Sequence, residues 1–203
     1  MNMKKIAKKA LEPGGRICQG GNRLVAVMAA MVLCLLGIAT TDIGAQPPAI
    51  SEYDVKVAFL YKFAKFVEWP AESFSGAGKT LRLCVADTDL TDDVFETVKS
   101  STVRGRELVI KECRGPEDLE SCHILFVTRS REQDLAEIMA AATHYHVLTI
   151  GETEGFTELG GIINFIMVEK KVRFEINVDA ARRAGLKISS KLLRLAKIVK
   201  EKH

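Results

Sequence analysis

The 203-residue sequence contains no G-x-S-x-G, Walker loop, G-x-G-x-x-G or H-E-x-x-H. No serine therefore stands in a nucleophile context, no glycine-rich loop is set to cradle a phosphate, and no helical His pair is set to hold zinc. It also lacks a C-x-x-C spacing, which removes zinc-ribbon and thioredoxin-like readings. An excess of one charge is missing too, since 29 Lys and Arg face 26 Asp and Glu. The small positive balance sits at the start, where Lys4, Lys5, Lys8, Lys9, Arg16 and Arg23 face only Glu12 and Asp42 in residues 1–45. Residues 46–203 then carry a formal charge of −1. That is too little for a protein that binds by neutralising phosphates, so nucleic acid is not an expected partner. No internal repeat or low-complexity tract occurs. What is present, 47% hydrophobic and 27% charged residues, is the composition of one ordinary domain folded around a core.

One long uncharged stretch exists. The basic segment ending at Arg23 is followed by LVAVMAAMVLCLLGIA and then by small and polar residues up to Gln46-Pro47-Pro48. This is the order of a secretory signal peptide, and the apolar run is short for a membrane span of ~20 residues. Cleavage is expected after Ala39 or Ala45, leaving residues 46–203 as a single exported domain. Cys34 follows Leu33 rather than a small residue, so no acyl anchor is expected. Export would carry Cys84, Cys113 and Cys122 into an oxidising compartment, where three thiols allow one bridge and one leftover.

Past the leader, Ser51-Glu52-Tyr53-Asp54 opens a helix with a capping serine and early acids, and Trp69-Pro70 stops it. Val55, Phe59, Phe63 and Phe66 share one stripe of that helix, with Leu60 and Val67 beside it and Lys56 interrupting it. Aromatics are concentrated here, so the segment is a core helix or, at Phe59, Phe63, Phe66 and Trp69, a partner-binding face; core is the default. LRLCVAD, ELVIKEC, HILFVT and VLTIG read as buried strands. Between them, Thr88–Ser100 and Arg131–Ala142 read as helices and PEDLE as a helical turn. GIINFIMVE and VRFEINVD form a hairpin, Ala180–Arg183 begins a helical turn, and Ser189 and Ser190 cap a last basic helix carrying Leu192, Leu193, Leu195, Ile198 and Val199. The expected fold is α/β: a single domain with a mainly parallel sheet, an added C-terminal antiparallel hairpin and flanking helices.

Few residues are placed for chemistry. Asp87 ends the first sheet strand, where open α/β sheets place ligands, but a strand-ending acid is the plainer reading. His144 and His146 are two apart, and nothing nearby supplies a third ligand by spacing, so no metal is expected. Arg173, Glu175 and Asn177 alternate with Val172, Phe174, Ile176 and Val178. Period-2 geometry puts the polar three on one face, either as a pocket wall or as an exposed sheet face with an ion pair. No cofactor is implied.

VKVAFLYKFAKFVEWP, LRLCVAD, VRGREL, CHILFVT and LGGIINFIMVEKKVRFEINVDAARRAGLKISSKLLRLA, behind a signal peptide, together resemble the YfiR family of periplasmic proteins along nearly all of the mature chain. The resemblance implies an α/β fold, dimerisation, a redox-sensitive disulfide, and repression of an inner-membrane diguanylate cyclase through its periplasmic region, lowering cyclic-di-GMP and biofilm formation. It also implies that Cys84 and Cys122 are the bridged pair, with Cys113 left over. A second family bridge has no counterpart, because no cysteine follows Cys122. Two other functions compete with a non-catalytic regulator: a periplasmic solute-binding protein using Arg173, Glu175 and Asn177 for a small anion or aromatic metabolite, and an exported hydrolase.

Overall fold

The computed structural model describes residues 51–75, 78–87 and 92–200. The leader, with both of its cleavage positions, lies outside them. Helix α1 (Glu52–Phe66) begins with a reciprocal cap: Ser51 accepts from the Asp54 amide, and Asp54 accepts from the Ser51 amide. Its buried face is Lys56, Val57, Leu60, Phe63 and Ala64. That face is centred about one residue on from the stripe expected from the aromatics. A short strand β1 (Val67–Glu68) and a 3₁₀ turn (Ala71–Phe74) follow.

The sheet is built from β2 (Thr80–Ala86), β3 (Thr102–Val103), β4 (Arg106–Glu112), β5 (Ile124–Val127), β6 (Leu148–Gly151), β7 (Ile163–Val168), β8 (Lys171–Asn177) and β10 (Lys197–Val199). Its order is β10-β8-β7-β6-β5-β2-β4-β3. Only the β3–β4 and β7–β8 pairings are antiparallel, so the expected mainly parallel α/β sheet with a C-terminal hairpin is the architecture found. Strand β9 (Lys187–Ile188) pairs with β1 in a separate two-stranded sheet. Helices α2 (Leu135–Ala142), α3 (Val178–Arg183) and α4 (Ser190–Leu193) are accompanied by 3₁₀ turns at Pro116–Ser121 and at Arg129–Asp134, the latter replacing the start of the helix expected over Arg131–Ala142.

Both sheet faces are covered, which is why the central strands read as continuous apolar runs. Leu81, Leu83 and Val85 of β2, with Ile124 and Phe126 of β5, join α1 in one core. Their alternating neighbours Cys84, Ala86, Leu125 and Val127 join α2 in a second core. Phe63, fully buried, meets Phe165 and Phe174 at ring centroid distances of 5.7 and 4.9 Å. Truncating such a ring would cost about 3–5 kcal/mol.

Two expected helices are corrected. Within Thr88–Ser100 the described part holds only a 3₁₀ turn, Asp92–Phe95, followed by turns; Phe95 and Val98 are buried as anchors, but the β-branched Val94, Thr97 and Val98 are poor helix formers. The last basic helix stops after α4. Residues Lys197–Val199 instead form β10, pairing in parallel with Glu175, Ile176 and Asn177 of β8. Leu192 is buried, whereas Leu195 and Ile198 are 72% and 46% exposed. With no apolar surface left for a helical stripe, the free edge of β8 captures this β-branched segment.

Candidate functional site

Strand β6 pairs with β7 only through Ile150–Ile163 and Gly151–Asn164, while β7 runs on to Val168. The early end of β6 leaves a notch at the carboxyl edge of the parallel strands, the side on which open α/β sheets take ligands. The chain turns out of β6 through Gly151, Glu152 and a loop to Gly161, folded over the buried Phe156 ring. A Cβ at Gly151 or Gly161 would overlap that ring, so glycine is needed at both.

Glu152 is the organising group. Its carboxylate accepts from the Tyr53 hydroxyl at 3.0 Å, the Arg129 amide at 2.9 Å and the Lys56 ammonium at 2.5 Å. Lys56 also meets Glu52 at 2.5 Å and lies 4.8 Å from the centre of the Tyr53 ring. The lysine that interrupts the α1 stripe is therefore the buried counter-charge of a strand-ending acid. Burial first, then the negative charge of Glu152 and the hydrogen bond to it, push the Tyr53 phenol well above its ordinary range, with Asp87 and Glu52 adding to the effect.

On the other flank, Glu175 accepts from the Thr157 hydroxyl at 3.0 Å, from Asn164 Nδ2 at 3.5 Å and from Lys197 at 3.3 Å. The notch between the flanks has a volume of about 490 Å³; Lys56, Arg129, Glu152, Asn164, Glu175 and Lys197 line it beside Phe165, Ile166 and Met167.

The expected Arg173, Glu175 and Asn177 wall does not assemble. Arg173 is exposed, whereas Glu175 and Asn177 are buried. Asn177 is spent on structure: its Oδ1 accepts from the Ala180 amide to cap α3, and its Nδ2 donates to Thr157 O. The 152–161 loop covers this face from Glu175 onward and stops short of Arg173, so Lys197, arriving on β10, is the cation that Glu175 meets. Only Glu175 of the three lines the notch. The aromatic set is divided as well. Phe63 is enclosed and cannot meet a partner, which narrows that face to the half-buried Phe59, Phe66 and Trp69. Trp69 Nε1 donates to His123 O at 3.0 Å.

Cys84 and Cys122 are joined in a disulfide with Cα atoms 5.9 Å apart, and Cys113 is a free, buried thiol. His146 Nδ1 lies 2.8 Å from Ala184 O, and among the described residues no group of three His, Cys, Asp or Glu side chains can hold a metal. Sequence reasoning missed the pairing of Lys56 with Glu152. The available signal was the lysine itself, a charge on an apolar face that only a buried acid can neutralise.

Fold and site together define an α/β-sheet protein with a small polar notch at the carboxyl edge of its strands. Residues 53–197 match the model of the YfiR/HmsC-like family, and the chain belongs to that family, which is known for periplasmic regulators. Its fold is similar to the crystal structure of a conserved domain protein from Vibrio cholerae O1 biovar El Tor, with a TM-score of 0.51 at 13% identity. The match covers 74% of this chain and 60% of that one, and at this identity it speaks for the fold alone. No helix among the described residues is long and apolar enough to cross a membrane.

Proposed function

We propose that this chain is exported to the periplasm and acts there, as a homodimer and without catalytic turnover, to repress an inner-membrane diguanylate cyclase through that enzyme's periplasmic region. Lower cyclic-di-GMP and less biofilm would follow. The observation that carries this reading is the family match over 53–197. The half-buried Phe59, Phe66 and Trp69 supply apolar surface for the partner without removing the enclosed Phe63 from the core. Deleting the gene should raise cellular cyclic-di-GMP, and supplying it in trans should restore the basal level. Unchanged nucleotide levels in both strains would end the reading. Replacing Phe59, Phe66 or Trp69 by serine should derepress while leaving an exported, folded protein.

A second reading, a periplasmic small-molecule-binding protein, is favoured by one observation: the notch has the size of a small-ligand site and brings charged groups together beside an apolar strand.

A further inference from the structure

Four features of the notch describe its occupant. Five of its lining residues are glutamates and three are Lys or Arg; setting aside Glu158, which has a partner of its own, the excess is one negative charge. The cations are already engaged: Lys56 is shared by Glu52 and Glu152, Lys197 meets Glu175, and the Arg129 guanidinium donates to the backbone oxygen of Glu152. At the mouth, exposed Glu154 has no ion pair among the described residues. The fourth feature is Asn164, which lines the notch and is 2% exposed, and whose Oδ1 has no hydrogen-bond partner. Its amide orientation is set by Nδ2, which donates to Glu175, so the orphan atom is an acceptor. A buried acceptor without a donor costs about 1–3 kcal/mol; Oδ1 is closed off from the notch at rest, so a ligand's donor removes that cost as the side chain turns toward it. Beside it, Phe165, Ile166 and Met167 offer an apolar wall on the length of β7 that β6 leaves unpaired.

We propose that the notch binds a small organic ammonium ion, with its N–H groups toward Asn164 Oδ1 and the glutamates and its hydrocarbon body along Phe165–Met167. An anion, the ligand class expected from an arginine-bearing wall, is disfavoured because Arg173 lies outside the notch and the carboxylates inside exceed the cations. The apolar wall suits a carbon chain better than a bare metal ion. The proposal rests on the small-molecule-binding reading and does not depend on whether a cyclase is repressed.

The test is calorimetric titration of the purified protein at low salt with 1,5-diaminopentane, pentylamine and glutarate, the last a five-carbon dianion. The amines should bind one per chain with Kd below ~1 mM, the diamine more tightly, and glutarate should not bind. Glu154→Lys, a change at an exposed position, should weaken the diamine about tenfold, and Asn164→Leu should weaken both amines by at least as much. If Asn164→Leu fails to fold, the exposed-site variant still decides. Glutarate binding in place of the amines would overturn the cation assignment and leave the ligand-binding reading standing. No binding by any of the three would overturn both, and amine binding indifferent to Glu154→Lys would overturn the assignment to this notch.

Discussion

His123 shows how one side chain can tie several segments together. Its Nδ1 accepts from the Arg82 amide at 3.1 Å, its Nε2–H donates to Ser73 O at 3.0 Å, and its ring stacks on Phe74 at 4.7 Å. Both hydrogen bonds are satisfied by the neutral ring alone. Burial pushes the imidazole down to about 4; the nearby Arg82 and Arg106 charges act in the same sense and the bond to Ser73 opposes them. The unfolded chain binds this proton near pH 6.5, so the stabilisation is complete above that pH and is lost as pH falls toward 4. Urea unfolding of the wild type should show a loss on the order of 2 kcal/mol across that window. His123→Gln should lack this component, and parallel pH profiles would refute the assignment. For the buried pair, Lys56→Met should cost about 3–5 kcal/mol, because the Glu152 carboxylate is left buried without its ammonium partner. Adding Glu152→Gln should recover part of the loss; a double-mutant cycle with purely additive terms would show that the two side chains are not coupled.

At the scale of elements, the disulfide fastens β2 to Cys122, two residues ahead of β5, closing a separation of 38 residues between strands that already pair side by side. On the chain-entropy model such a loop contributes about 3–4 kcal/mol. Replacing Cys84 and Cys122 together with alanine should lower stability by that amount, read from the shift of the denaturation midpoint. Burial pushes the Cys113 thiol up to about 11, which leaves it protonated and a poor nucleophile in the folded protein. Alkylation at pH 8 should therefore label Cys113 quickly only after unfolding, and rapid labelling of the native protein would contradict its burial. Peptide mapping without reductant should recover Cys84 joined to Cys122.

For the whole molecule, the reading as an exported regulator depends on the leader being removed. N-terminal sequencing of the protein from the periplasmic fraction should begin at Thr40 or Gln46, and a chain intact from Met1 in the membrane fraction would count against it. Removal would also change the electrostatics of the molecule, since the six basic residues of 1–45 leave with it and the remainder carries −1 from Gln46, or −2 from Thr40, where Asp42 stays. Regulation would then rest on shape and apolar contact, with little long-range attraction to an anionic membrane surface.

Local chemistry was enough to place most of the architecture. The Ser51 cap, the Trp69-Pro70 stop, the doubly buried strand runs and the hairpin around Lys170-Lys171 each follow from propensity and periodicity within a few residues of sequence. The C-terminal segment and the site could not be read in that way. Lys197–Val199 becomes a strand because β8 has an open edge, and no property of Leu-Arg-Leu-Ala-Lys-Ile-Val announces that edge. Lys56 and Glu152 are 96 residues apart, and Glu175 takes its cation from a strand 22 residues further on. Period-2 alternation did put Arg173, Glu175 and Asn177 on one side of a strand, but the loop that covers two of them and omits the third folds from elsewhere in the chain. Local sequence determined most of the helices and strands, Lys197–Val199 and the 88–100 segment excepted, and which residues must avoid water. The tertiary structure alone decided which buried charges meet, because the pairing of charges depends on strand order and on where each strand ends.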